Sequence, residues 1–209
     1  MICAVAFAQK PSFGVRAGLA SYSIKGDASN SLKSILEYTN GMVTTSGRTG
    51  FFGGAYASIP LGGGFSFEPG LYYTQKGYTM KGDLNIKGLE FLAANATAKL
   101  QSDYLDIPVL LKADLGGLQV FVGPQFSYLM KSNLKTTAGA LGFNVLDKTF
   151  DMTTNFNKWD MGVTGGIGYQ FSNGINVNAS YDYGLSKIDA NKNFDAYNRG
   201  FKVGLGLKF

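Results

Sequence analysis

The chain has 209 residues, 45 % of them hydrophobic and only 16 % charged, a length and mix that suit one domain with a sizeable core. Its formal charge of +5 comes from lysines scattered singly among Asp and Glu, which excludes the basic footprint of a nucleic-acid binder. No run of 18 apolar residues follows the first dozen positions, which excludes a transmembrane helix; 29 Gly, 12 Tyr and 16 Phe point instead to sheet with close backbone contacts and aromatic belts.

Residues 1–8 are apolar and end in Ala6-Phe7-Ala8, the small-x-small form of a signal-peptidase site before Gln9. We expect them to be the tail of a signal peptide that begins upstream, leaving 9–209 as a single exported domain. Cys3 falls within that tail, and Met1 and Ile2 before it do not form a lipobox, so the mature chain is expected to carry no thiol and no disulfide.

From Phe13 onward, apolar residues alternate with small or polar ones, the period of a sheet with two unlike faces. The first strand is expected over 13–23, with Phe13, Val15, Ala17 and Leu19 on one face and Gly14, Arg16, Gly18 and Tyr22 on the other. The second, over 49–59, aligns Phe51, Gly53, Ala55, Ala57 and Ile59, and breaks at Pro60-Leu61-Gly62-Gly63-Gly64. The third, over 65–78, sets Phe65, Phe67, Pro69, Leu71 and Tyr73 against Ser66, Glu68, Tyr72 and Thr74. A fourth, ending at Lys112, opposes Leu105, Ile107, Val109 and Leu111 to Tyr104, Asp106, Pro108 and Lys112, and a glycine turn at 113–117 leads to a fifth over 118–128. The sixth, 159–171, places Asp160 and Thr164 among inward glycines, and Asn173-Gly174 then predicts a type I′ hairpin into the seventh, 175–183, whose polar face carries Asp182. The eighth, 199–209, sets Phe201, Val203, Leu205, Leu207 and Phe209 against Lys202, Gly204, Gly206 and Lys208.

Three connections are tight turns and four are long, over 24–48, 79–99, 131–158 and 186–198. Short turns alternating with long loops are the asymmetry of outer-membrane barrels, whose turns are periplasmic and whose loops are extracellular. The apolar positions named above include no Asp, Glu, Lys or Arg, while the charged residues share the small, glycine-rich face. That is inside out for a soluble barrel or a β-sandwich, but it is what lipid demands of a sheet, as is closure of its edges. The expected fold is therefore all-β: an eight-stranded antiparallel up-and-down transmembrane barrel in the bacterial outer membrane. Its lumen would be filled by a paired polar network of Arg16, Glu68, Asp106, Lys112, Asp160, Asp182, Lys202 and Lys208.

The run Tyr104-Leu105-Asp106-Ile107-Pro108-Val109-Leu110-Leu111-Lys112, followed by Gly123-Pro124-Gln125-Phe126-Ser127-Tyr128, resembles the outer-membrane β-barrel family of Bacteroidota that includes PorT-like proteins. More broadly, the pattern is similar to eight-stranded barrels of the OmpX and OmpA type. The terminal Gly204-Leu205-Gly206-Leu207-Lys208-Phe209 resembles the strand that barrel-assembly machinery recognises, with Leu205, Leu207 and Phe209 as the signal. The resemblance spans the mature chain and implies a barrel, outer-membrane lipid around it and the assembly machinery as a partner during biogenesis. It implies no activity, and the secretion role in the PorT name is not carried over.

With no histidine and its one cysteine in the expected leader, the chain lacks His triads, His metal sites and thiolate nucleophiles, and no Ser sits in a G-x-S-x-G context. We expect no catalytic residues and no cofactor. Gly162-Val163-Thr164-Gly165-Gly166-Ile167-Gly168 lies inside a strand with no helix after it, so its glycines are strand glycines and not a phosphate loop. Asp189, Asn191, Asn193 and Asp195 alternate like the first half of a calcium loop, but Phe194 stands where Gly is needed and Gly200 where Glu is; Asx turns are the plainer reading. The favoured role is a non-enzymatic structural or interaction barrel meeting an extracellular ligand or another membrane protein through loop apolars such as Leu84, Ile86, Leu89, Phe91, Leu141, Phe143, Leu146 and Phe150. The alternatives are a narrow pore and, behind it, a lipid-modifying enzyme.

Overall fold

The computed structural model describes residues 10–25, 43–84, 94–140, 143–189 and 195–209. They form nine antiparallel strands: β1 (Ser12–Lys25), β2 (Val43–Gly62), β3 (Phe65–Leu84), β4 (Ala94–Leu115), β5 (Leu118–Ala140), β6 (Phe143–Asp151), β7 (Trp159–Gln170), β8 (Ile175–Gly184) and β9 (Tyr197–Lys208). Eight of them close a ring in the order β1-β2-β3-β4-β5-β7-β8-β9, sealed where β1 pairs with β9. The seam ends in a reciprocal backbone pair, Phe13 N to Phe209 O at 3.1 Å and Phe209 N to Phe13 O at 2.9 Å. Closure leaves no unpaired edge where water is absent to satisfy one.

The ninth strand corrects the expectation for the third long loop. β5 runs twelve residues past Tyr128, and β6 turns back along its upper half, from Ala140↔Phe143 to Asn133↔Asp151. The first and second long connections are likewise shorter than expected, because β2 begins at Val43 and β3 and β4 stay paired up to Leu84↔Ala94. Leu84, Phe143, Leu146 and Phe150 therefore lie on strands, while Ile86, Leu89, Phe91 and Leu141 fall outside the described residues. The reason is local: outside lipid the strands still alternate, but polar residues join the outward face, which a search for an apolar-faced strand reads as loop.

The three short turns rely on glycine. Gly62, Gly63 and Gly64 all have positive φ (+93°, +60° and +82°), as do Gly116 and Gly117 (+70° and +100°). The β7–β8 turn is not centred on Asn173-Gly174 as expected. Gly174 N bonds Phe171 O at 3.2 Å, which puts Ser172 and Asn173 at the centre and leaves Gly174, φ +90°, as the left-handed residue that follows. That is a turn with a glycine bulge, and it accommodates strand twist as well as a type I′ turn does.

Outward positions form an uninterrupted apolar band. It spans nine residues on β3 (Phe65 to Tyr73) and eleven on β5 (Leu118 to Tyr128), with Leu71, Val122, Ile167, Val203 and Leu205 among its exposed members. At about 3.3 Å per residue and a tilt near 40°, such runs rise about 20–25 Å, the height of a hydrocarbon layer. Aromatic pairs mark both margins: Phe51–Tyr73, Tyr128–Trp159 and Tyr181–Phe201 at the upper one, Tyr169–Phe171 at the turn end, with ring centroids 4.6–5.6 Å apart. Tyr and Trp rings are amphipathic and favour that depth.

Candidate functional site

The lumen is filled, and it is filled with charge. Arg16, Lys76, Lys112 and Lys202 are buried together with Glu68, Asp106, Asp160 and Asp182, so four cations face four carboxylates and the formal sum is zero. Lys208 is only half-buried, at the turn end. Lys76 was not among the candidates named from sequence, although it shares the even-numbered register of Glu68, Tyr72 and Thr74 on the same strand; that register is the signal that finds it.

Two clusters divide the interior. Near the turn end, Glu68 bridges Arg16 (3.1 Å) and Lys112, and the Arg16 guanidinium lies 4.6 Å from the centre of the Tyr56 ring and donates to Tyr72 Oη at 3.3 Å. Higher up, Asp106 pairs with Lys76 at 3.0 Å and Lys202 at 3.4 Å and accepts from Ser127 Oγ at 2.5 Å. Lys202 also reaches Asp182 at 2.8 Å, and Asp182 accepts from Tyr22 Oη, Thr164 Oγ1 (2.6 Å) and Gln125 Nε2 (3.1 Å). Lys76 stands over the Tyr104 and Tyr22 rings at 4.5 and 5.2 Å. Above this cluster, Asp160 accepts from Asn198 Nδ2 at 2.8 Å and Ser186 Oγ at 2.7 Å.

At the upper end the wall continues past β8 and before β9. Leu185 N and Ser186 N bond Met161 O, Ile188 N bonds Ala196 O at 2.9 Å, and the Ile188 and Ala196 side chains are buried. Voids of about 10 and 30 Å³ lined by residues of the two clusters have room for no more than about one and two waters. Charges inside an eight-stranded barrel must be paired because its interior is only wide enough for side chains, and here the pairing and the packing are one device.

A second feature stands outside lipid. The upper halves of β2 to β5, with β6, form a five-stranded sheet that continues the barrel wall. Its outer face exposes Lys81, Lys99, Lys131, Lys135, Asp147 and Asp151. Lys135 pairs with Asp147 at 3.1 Å, and Lys99 lies directly across from Lys135 in the ladder. Thr153, in the helical turn Thr153–Asn155 after β6, bonds Asp151 through its side chain and its N–H (2.8 Å) and holds that carboxyl below its ordinary range. Among the described residues β6 pairs on one edge only.

Of the calcium-like series, Asn191 and Asn193 lie outside the described residues, Asp195 forms an ion pair with Lys187, and the Asp189 carbonyl accepts from Asn157 Nδ2 at 3.1 Å. No metal-binding cluster of acidic side chains occurs among the described residues. Leu205, Leu207 and Phe209 are exposed on the outer face of the closing strand and its end.

Comparison with known proteins places this architecture. The model of the outer membrane protein β-barrel domain matches residues 7–190; it covers that domain as a whole and does not single out a PorT-like or Bacteroidota branch. No curated protein matches the chain. Among solved structures, Ail, the attachment invasion locus protein of Yersinia pestis in complex with the heparin analogue sucrose octasulfate, is 12 % identical with a TM-score of 0.49, covering 96 % of this chain and 100 % of that one. Neisserial surface protein A is 15 % identical with a TM-score of 0.46 at 96 % and 100 % coverage, and OprG of Pseudomonas aeruginosa is 14 % identical with a TM-score of 0.42 at 96 % and 97 %. Likenesses this loose say nothing of function.

Proposed function

Because the chain belongs to the outer-membrane protein β-barrel family and resides in the bacterial outer membrane, we propose that it is a non-enzymatic interaction barrel whose contact surface is the extracellular sheet. The observation that carries this reading is the contrast between a lumen filled to neutrality and a wall that continues beyond lipid as β2 to β6, with one edge of β6 unpaired among the described residues. A free strand edge offers backbone donors and acceptors to an extended segment of another protein, and the polar outer face keeps the sheet soluble until one docks. Outer-membrane lipid surrounds the band, and the barrel-assembly machinery is the partner expected during biogenesis through Leu205, Leu207 and Phe209.

The test is crosslinking in intact cells from a photoreactive residue at position 149, with the crosslinked proteins identified afterwards. A discrete partner that disappears when residues 136–148 are replaced by a short Asn-Gly turn, in a barrel that still resists denaturation in detergent, is the expected result. Crosslinks to lipid alone, or an unchanged partner in the shortened chain, would overturn the assignment.

A further inference from the structure

The buried interior cations Arg16, Lys76, Lys112 and Lys202 each lie against a carboxylate, whereas Arg199, on the outer wall at the margin of the apolar band, does not. Arg199 is the next outward residue beyond Phe201, the last apolar position of β9, about 7 Å further along the strand. Its guanidinium lies 3.8 Å from the centre of the Tyr183 ring, the residue directly across on β8. Its Nε–H is shielded and without a hydrogen-bond partner, and Arg199 enters no ion pair among the described residues. On the other side it faces Ser23 of β1, and exposed Lys25 follows two residues later; both are outward. Below lies the tilted ring pair Tyr181–Phe201, with centroids 4.6 Å apart.

We propose that Arg199, backed by Tyr183 and flanked by Ser23 and Lys25, binds the phosphate of an outer-leaflet glycolipid headgroup. The position sits at the margin of the apolar band, where acyl chains end and headgroups begin. A guanidinium at that depth reaches the headgroup layer, and no carboxylate of the described residues pairs with it, which leaves a headgroup phosphate as its counter-ion. The contact with the Tyr183 ring holds the guanidinium in place, and its planar fork matches two phosphate oxygens better than a lysine would. The ring pair beneath is apolar floor for the first acyl carbons, so the ligand is a lipid and not a free ion.

The purified full-length barrel in detergent is incubated with bis-phosphorylated lipid A, with the same lipid after dephosphorylation, or with inorganic phosphate, and lipid retention is read by native mass spectrometry. Wild type should retain the phosphorylated lipid alone. Arg199→Ala should lower retention about five- to tenfold, with Arg199→Lys intermediate, while Lys81→Ala, on the sheet of β2 to β6 beyond lipid, has no effect. Heat-modifiable gel migration reports whether each variant is folded; should Arg199→Ala not fold, Tyr183→Leu and Arg199→Lys carry the test, each lowering retention. Equal retention by Arg199→Ala, equal binding of the dephosphorylated lipid, an equal loss in Lys81→Ala, or release by low-millimolar inorganic phosphate would overturn the proposal.

Discussion

Asp106 is wholly buried and holds two ammonium groups, Lys76 and Lys202, so its loss would leave Lys76 without its ion-pair partner and Lys202 with Asp182 alone. Removing one partner of a buried pair costs about 3–5 kcal/mol, because the desolvated survivor has nothing to replace it. Asp106→Ala should therefore lower the unfolding free energy of the detergent-folded barrel, read from urea titration, by that amount, whereas Lys135→Ala, in a pair whose side chains are 50 % and 58 % exposed, should cost less than about 1 kcal/mol. Glycine carries a second contrast at this scale. A methyl at Gly204 would lie 2.7 Å from Phe52 Cζ and 2.9 Å from the Ala17 carbonyl, whereas one at Gly53 meets only the Ala17 Cβ at 3.7 Å. Gly204→Ala should destabilise by about 1–3 kcal/mol, and Gly53→Ala should be neutral or gain up to about 1 kcal/mol, in the same unfolding assay. The inward glycines are thus seats for interior rings.

At the scale of the strand, the alternation that assigns faces also says which substitutions lipid forbids. Val163 is outward near mid-band, and arginine there should cost about 2–4 kcal/mol and show as reduced insertion into lipid vesicles, an effect that fades for arginine placed at Trp159 near the margin. Thr164, one residue on, is inward and donates to Asp182 at 2.6 Å, so even this small side chain is committed to the network. Which face a residue takes is legible from parity, as Glu68, Tyr72 and Thr74 against Phe67, Leu71 and Tyr73 illustrate. Where a strand ends is not: β5 continues past Tyr128 through a bulge opposite Asp103 and Tyr104, which returns Ser132 to the inner face after Met130 and Lys131 have both pointed out. Nor is the identity of a partner across the lumen legible, since the meeting of Lys202 with Asp106, 96 positions away, depends on the stagger of the closed ring.

For the whole molecule the deciding quantity is the bore. A ring of eight strands encloses space for side chains only, and here that space holds four cation and four carboxylate groups with voids of about 10 and 30 Å³. An ion crossing it would have to separate Arg16 from Glu68 and Lys202 from both Asp106 and Asp182, and each buried pair opposes this by several kcal/mol. The wild-type barrel should therefore show no steady conductance in planar bilayers under voltages that open wide porins. Replacing Arg16, Glu68 and Lys112 together by Ser removes one cluster without leaving a member of it unpaired, yet the upper cluster of Lys76, Lys202, Asp106 and Asp182 remains in series. That triple variant should stay silent too, and a steady ohmic current through either protein would mean that the interior is a pathway and that the case for an interaction barrel has lost its main support.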